Sequence, residues 1–203
     1  MMKRLFSNAR DRNKPIVIVS GLPRSGTSMM MKMLEAGGLP PLTDNLRSAD
    51  GDNPKGYFEF ERAKKLPEGD LGWLPEARGK VVKVISALLE HLPAEYEYRV
   101  LFMRRSMTEI LASQRKMLIN RAEDPDKVSE AEMSRLFDRH LTKVSAWLER
   151  QRNFQVLYVD YNELLRNPLP QLPRIQAFLQ GIVDPQQMAA VVDPELYHQR
   201  GSA

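Results

Sequence analysis

The stretch from Pro15 to Leu34 constrains the fold of this chain more than any other part of the sequence. It begins with four consecutive β-branched apolar residues (16–19, IVIV), a pattern typical of a buried strand. A short loop with glycines at 21 and 26 follows, and then the unbranched apolar residues of a helix. In a strand–loop–helix unit of this kind, N–H groups of the loop and of the first helical turn converge. The stretch therefore predicts a site for an anion.

The loop differs from a nucleoside-triphosphate loop in the position of its cation. Gly21 and Gly26 have the separation of the pattern G-x-x-x-x-G-K-[ST], but Thr27 stands where that pattern has lysine. The cation lies inside the loop instead, at Arg24. A planar guanidinium can donate to two oxygens of a phosphate or sulfate at once. The predicted oxyanion site comprises Arg24, Ser25, Gly26, Thr27 and Ser28. The alternative interpretation is an ordinary strand–turn–helix corner.

Composition limits the possible classes of protein. The 203 residues suffice for one domain with a full core, and the absence of cysteine excludes disulfides and thiolate catalysis. The net charge of +4 is mild, and no basic stripe with interleaved aromatics predicts nucleic-acid binding. No apolar run reaches the length of a membrane span, so we expect no integral membrane contact. We expect a basic flexible arm over residues 1–14, one domain over 15–203 and a cytoplasmic location.

The loop sequence GLPRSGTS, from Gly21 to Ser28, resembles a known phosphosulfate-binding loop. It is similar to the 5′ loop of the sulfotransferases that use 3′-phosphoadenosine 5′-phosphosulfate (PAPS). Those enzymes carry P-[KR]-[ST]-G-[ST]-[ST] after their first strand. The resemblance implies PAPS as sulfuryl donor, 3′-phosphoadenosine 5′-phosphate (PAP) as product, and no metal.

A second motif supports the same resemblance. Residues 97–103 read as a strand, Arg105 follows it, and Ser113 comes eight residues after Arg105. In the sulfotransferases an arginine and a serine with this spacing hold the 3′-phosphate. A helix that begins near Ser106 places Ser113 about two turns further on, on the side of the helix start. The alternative is a surface arginine and a serine buried for packing.

Three further residues are candidates because of the resemblance. Lys83 lies in the strand predicted over 80–85 and fits the family lysine that ends the corresponding strand near the transferring sulfuryl group. No histidine follows Lys83 within a few residues, unlike in the cytosolic branch of the family, so we place the general base at Glu59. A carboxylate between aromatics would be desolvated and its pKa raised; a solvated carboxylate at a helix start is the alternative. Tyr161 holds the place of a family tyrosine near the adenine, and a tyrosine packed at a strand end is the alternative.

Three other segments complete the sequence-based expectations. Asp124 and Pro125 predict the start of a helix, with the aspartate as its cap. Residues 42–55 form a long polar loop that we expect to help select the substrate. Arg200 and Gly201 resemble a shortened form of a family loop that contacts the 3′-phosphate.

We therefore expect an α/β fold of the P-loop type, three-layered (α/β/α), with a mostly parallel sheet of four or five strands. The expected activity is transfer of a sulfuryl group from PAPS to a hydroxyl or amine of a small-molecule, glycan or lipid acceptor. A P-loop kinase or NTPase is the first alternative, because the strand ending at Asp160 has the pattern of a Walker B segment. A non-catalytic PAP- or PAPS-binding module is the second. The acceptor and the oligomeric state stay open.

Overall fold

The computed structural model describes residues 14–44 and 58–192. Its sheet has four parallel strands, β1 (Ile16–Gly21), β2 (Val81–Lys83), β3 (Tyr98–Arg104) and β4 (Phe154–Asp160), in the order β2-β1-β3-β4. β1 pairs with β2 on one side and with β3 on the other. The α/β fold and the parallel sheet expected from the sequence are confirmed, with four strands.

Eight α-helices connect and cover the strands in the described parts of the chain. They are α1 (Thr27–Ala36), α2 (Glu61–Lys64), α3 (Leu74–Ala77), α4 (Met107–Asn120), α5 (Glu130–Leu148), α6 (Tyr161–Arg166), α7 (Leu172–Phe178) and α8 (Pro185–Ala190). Within the same described residues, short 3-10 helices span Leu66–Glu68 and Ser86–His91. No described helix has the length and apolar character needed to cross a bilayer.

The sheet is buried on both faces, which explains the continuous apolar run of β1. Val17 and Val19 belong to a core formed with residues of α1, α6, α7 and α8. Ile16 and Ile18 point the other way, into a second core that includes Trp73, α3 and the inner face of α5. Alternate residues of one strand therefore serve two helical layers, as the period of two in a strand requires.

The crevice for a ligand follows from the strand order. After β1 the chain goes to β2 on one side of it and then returns to β3 on the other side. In open parallel sheets, ligands bind at the carboxyl ends of the strands where the order reverses. Here that point lies between the ends of β1 and β3, at Gly21 and Arg104.

One element boundary expected from the sequence is wrong. The helix expected to begin at Asp124 begins at Glu130, with Ser129 as its cap. The Asp124 side chain instead accepts a hydrogen bond from the Asp126 N–H at 2.9 Å, which stabilises a turn. The expected arm over residues 1–14 lies outside the described residues except for Lys14. Residues 45–57 of the polar loop region and the Arg200–Gly201 dipeptide also lie outside them.

Candidate functional site

The loop after β1 folds tightly on itself. The Ser25 hydroxyl donates to the carbonyl oxygen of Leu22 at 2.7 Å, and the Ser25 N–H donates to the same oxygen at 3.2 Å. Ser25 thus shapes the loop from within. Arg24 has a φ of 69°, in the left-handed region that non-glycine residues rarely adopt. Among the described residues no side chain caps the amino end of α1, whose first N–H groups face the loop.

The structure brings the two predicted motifs into direct contact. Arg24 Nε donates to Ser113 Oγ at 2.8 Å across 89 residues of sequence. Arg105 Nη1 donates to the carbonyl oxygen of Arg24 at 3.0 Å. The loop arginine is therefore held at its side chain by one member of the second motif and at its backbone by the other. The two motifs lie at the crevice between β1 and β3.

Arg105 is anchored by residues that the sequence analysis did not single out. Its Nε donates to Glu109 Oε2 at 2.9 Å, and both side chains are only 7% exposed. Asn162 Nδ2 donates to the other oxygen, Glu109 Oε1, at 2.8 Å. The spacing from Arg105 to Glu109, four residues on one helix face, was a usable signal for the ion pair. No local spacing indicates Asn162, because it reaches Glu109 from α6.

Tyr161 packs under this network. The Arg105 guanidinium carbon lies 4.5 Å from the centre of the Tyr161 ring, and the tyrosine is 8% exposed. The ring also closes on Gly26, where an added Cβ would lie 2.2 Å from Tyr161 Cδ2. Burial raises the pKa of the Tyr161 hydroxyl, against a smaller opposing effect of the Arg105 charge. Gly26 is thus required by close approach as well as by its φ of 98°.

Lys83 and Glu59 occupy different surroundings. Lys83 closes β2, and its Nζ donates to Ser28 Oγ at 3.4 Å, so it reaches the start of α1. Glu59 lies just before α2 and accepts a hydrogen bond from Lys64 Nζ at 2.9 Å. Burial lowers the pKa of Lys64, but hydrogen bonds to Glu61 and Glu59 outweigh it and the pKa is raised. Glu59 therefore forms an ion pair with Lys64.

Asp160, the residue that suggested a Walker B segment, ends β4. Its side chain accepts a hydrogen bond from the Glu163 N–H at 2.8 Å and caps α6. Within residues 14–44 and 58–192, no three histidine, aspartate or glutamate side chains are grouped as a metal site.

A small crevice lies apart from these motifs, between α5 and the 3-10 helix that begins at Ser86. Ser86 Oγ and His140 Nε2 are 2.8 Å apart at its wall, and the other lining residues include Glu90, Lys143 and Trp147. Burial and, to a smaller extent, the Lys143 charge lower the pKa of His140. The pair joins α5 to the segment that follows β2.

The four-stranded parallel sheet, with a glycine-containing loop between β1 and α1, defines a P-loop-type α/β protein. A family model described as "Sulfotransferase domain" matches residues 14–195. The chain therefore belongs to the sulfotransferase domain family, and it is a sulfotransferase.

Two solved structures are similar to the chain at low identity. The first is a "Sulfotransferase Domain from the Curacin Biosynthetic Pathway", with a TM-score of 0.50, 14% identity and coverage of 92% of this chain and 87% of the other. The second is "retinol dehydratase in complex with androsterone and inactive cofactor PAP", with a TM-score of 0.43, 16% identity and coverage of 87% and 62%. At these identities the first likeness supports the fold alone. No curated protein matches the chain.

Proposed function

We propose that this sulfotransferase uses PAPS as its donor and releases PAP. The observation that carries this proposal is the contact between the two motifs. Arg24 Nε lies 2.8 Å from Ser113 Oγ, and Arg105 Nη1 lies 3.0 Å from the Arg24 carbonyl. A single adenosine nucleotide with phosphates at both ends of its ribose can then contact the loop and the second motif together. The 5′-phosphosulfate would lie at residues 24–28 and the 3′-phosphate at Arg105 and Ser113.

The chemistry expected at this site is in-line displacement at sulfur. The acceptor oxygen or nitrogen forms a bond to sulfur while the bond from sulfur to the bridging oxygen of the 5′-phosphate breaks. The electron pair of that bond stays on the phosphate, and the acceptor proton leaves for a base. Arg24 and Lys83 would neutralise charge on the sulfuryl and leaving-phosphate oxygens, which is the main way a positioned cation lowers such a barrier. Lys83 is already placed at Ser28 of the loop.

Glu59 is our candidate for the base, and Tyr161 our candidate for contact with the adenosine. The Glu59 carboxylate lies 2.9 Å from the Lys64 ammonium, and its side chain is 18% exposed, so an acceptor could approach it. Tyr161 would meet the adenosine through the 8% of its surface that stays accessible. The acceptor would be a small molecule, glycan or lipid that carries a hydroxyl or amine.

Calorimetry tests the donor proposal. We expect wild-type protein to bind PAP more tightly than ATP and to do so equally well in the presence of a chelator. Arg105→Ala should lose this preference, while Arg115→Ala, which changes an arginine of α4 paired with Asp126 at the surface, should keep it. Tighter binding of ATP that depends on magnesium would overturn the proposal in favour of a kinase or NTPase.

Activity distinguishes the enzyme with a PAPS donor from a non-catalytic binding module. Isotopically labelled PAPS, incubated with pools of phenols, alcohols, amines, glycans and lipids, should give labelled product with wild-type protein. Lys83→Ala and Glu59→Gln should lower the rate of transfer more than they weaken PAP binding, because both residues are assigned to the reacting atoms. Strong PAP binding without transfer to any acceptor class would favour the non-catalytic module.

A further inference from the structure

The guanidinium of Arg105 is restrained on three sides. Glu109 accepts from Nε at 2.9 Å, the Arg24 carbonyl accepts from Nη1 at 3.0 Å, and the Tyr161 ring lies 4.5 Å from the guanidinium carbon. The side chain is 7% exposed, so its orientation is fixed by protein contacts rather than by water. A guanidinium held in this way loses little rotamer freedom when a ligand binds.

These restraints leave both N–H groups of Arg105 Nη2 for a ligand. Among the described residues Nη2 makes no hydrogen bond, whereas Nε and Nη1 each have an acceptor. Nη2 has two N–H groups, and the one that points away from Nε can donate to a phosphate while Glu109 keeps its bond to Nε. Asn162 holds the other carboxylate oxygen at 2.8 Å, which keeps Glu109 from rotating toward the ligand. The two oxygens of Glu109 therefore have separate, fixed partners.

We propose that Glu109, held by Asn162, is a positioning residue that directs Arg105 at the 3′-phosphate and so gives the site its preference for 3′-phosphorylated adenosine nucleotides. This inference rests on the proposed function. The carboxylate acts through the arginine and does not touch the ligand. It also balances the buried guanidinium charge when no phosphate is bound, because a buried charge without a partner is costly.

The arrangement links three parts of the chain to one phosphate contact. Arg105 follows β3, Glu109 lies in the first turn of α4, and Asn162 lies in the first turn of α6. A change at Asn162 is therefore expected to alter nucleotide preference, although Glu109 and Arg105 both stand between Asn162 and the phosphate. An effect of Asn162 on nucleotide preference would distinguish a positioning network from an ion pair that only stabilises α4.

The test compares PAP with adenosine 5′-monophosphate (AMP), which lacks the 3′-phosphate, by calorimetry on folded full-length protein. Glu109→Gln should weaken PAP binding about tenfold, and AMP binding by less than about threefold, because only PAP uses the directed Nη2 group. Asn162→Ser keeps the Glu109 charge and should weaken PAP binding about threefold with AMP unchanged. The matched control is Asp126→Asn, which removes the carboxylate paired with Arg115, an exposed arginine of the same helix. It should leave both affinities unchanged.

A double-mutant cycle gives the second readout. If Glu109 acts through Arg105, the effect of Glu109→Gln on PAP affinity should nearly vanish in an Arg105→Lys background. Equal losses for PAP and AMP, or additive losses in the cycle, would overturn the inference and leave Glu109 a stabilising residue. If Glu109→Gln does not fold, the ratio of PAP to AMP affinity in Asn162→Ser replaces it. The double-mutant cycle of Asn162→Ser with Arg105→Lys then tests the inference by the same criteria.

The two proposals fail in different ways. Wild-type protein that binds PAP and AMP equally would remove the 3′-phosphate contact and with it the proposed donor. Wild-type protein that prefers PAP, together with a Glu109→Gln variant that keeps the full preference, would remove only the role of Glu109.

Discussion

Arg24 and Ser113 are joined by a hydrogen bond of 2.8 Å, although 89 residues separate them. Arg24 belongs to the loop after β1, and Ser113 lies two turns into α4. The bond means that the predicted 5′ and 3′ halves of the nucleotide site are parts of one hydrogen-bonded unit. A substitution in either half is therefore expected to affect the geometry of the other half.

Replacing Ser113 with alanine should weaken the nucleotide site more than the fold. The substitution removes the acceptor for Arg24 Nε, and because Arg24 is half-buried, water can take the place of the hydroxyl. We expect a loss of about 0.5–1.5 kcal/mol in the free energy of unfolding and about tenfold weaker PAP binding. Urea unfolding and calorimetry measure the two effects. Ser134→Ala on α5 is the control, and an unchanged PAP affinity in Ser113→Ala would contradict the prediction.

The backbone at Arg24 predicts an unusual order of stabilities. With a φ of 69°, an alanine at this position keeps the left-handed strain, whereas a glycine does not. Both substitutions remove the guanidinium, so both should abolish tight PAP binding. We expect the glycine variant to be more stable than the alanine variant by about 1 kcal/mol. Urea unfolding of Arg24→Gly and Arg24→Ala provides the comparison, and the reverse order would show that the loop relaxes out of this conformation.

Gly26 and Gly38 allow the cost of backbone strain to be measured separately from the cost of a steric clash. Their φ values are 98° and 96°, but a Cβ at 26 would lie 2.2 Å from Tyr161 Cδ2, while nothing lies within 4 Å of one at 38. Gly38→Ala should cost about 1 kcal/mol of stability through the backbone alone. Gly26→Ala should cost about 1–3 kcal/mol more, because the ring must move. Thermal unfolding measures both, and only Gly26→Ala should also weaken PAP binding.

His140 predicts a pH dependence of stability. Burial, assisted by the Lys143 charge and opposed by Glu90, lowers its pKa below the ordinary value of 6.5. In the interval between the lowered pKa and 6.5, the unfolded chain binds a proton that the folded chain does not. This contribution to stability is therefore complete above 6.5 and is lost as the pH falls through that interval.

Urea midpoints at about pH 7.5 and about pH 5.5 check this prediction. The decrease between them should be smaller in His140→Gln than in wild-type protein. His91→Gln, which changes an exposed histidine at the end of the neighbouring 3-10 helix, is the control and should behave as wild type. An identical decrease in His140→Gln and wild type would contradict the assignment.

The fold could be predicted from the sequence because the patterns that indicate it are local. The apolar run of β1, the glycine loop and the spacing from Arg105 to Ser113 each lie within a few turns of chain, where periodicity determines geometry. The helix start expected at Asp124 was wrong because Ser129, also a good cap, begins the helix instead. Local patterns alone did not decide between the two caps.

The remaining parts of the site depend on how separate elements pack. The contact of Tyr161 with Gly26 arises because β4 places α6 beside the loop of β1, two strands away in the sheet. Asn162 meets Glu109 for the same reason. Neither pair can be recognised from its spacing in the sequence, since the strand order determines which elements meet. Glu109 was the one such residue with a local signal, its position four residues after Arg105.

The closure of Tyr161 over Gly26 has a consequence for synthesis of the protein. A nascent chain that has left the ribosome only as far as residue 150 already contains both phosphate motifs, but it lacks the ring that packs on the loop and the amide that fixes Glu109. Such a chain can form β1 and β3 and still present an unfinished pocket. The proposed nucleotide site is therefore completed only after β4 has docked and brought α6 to the loop.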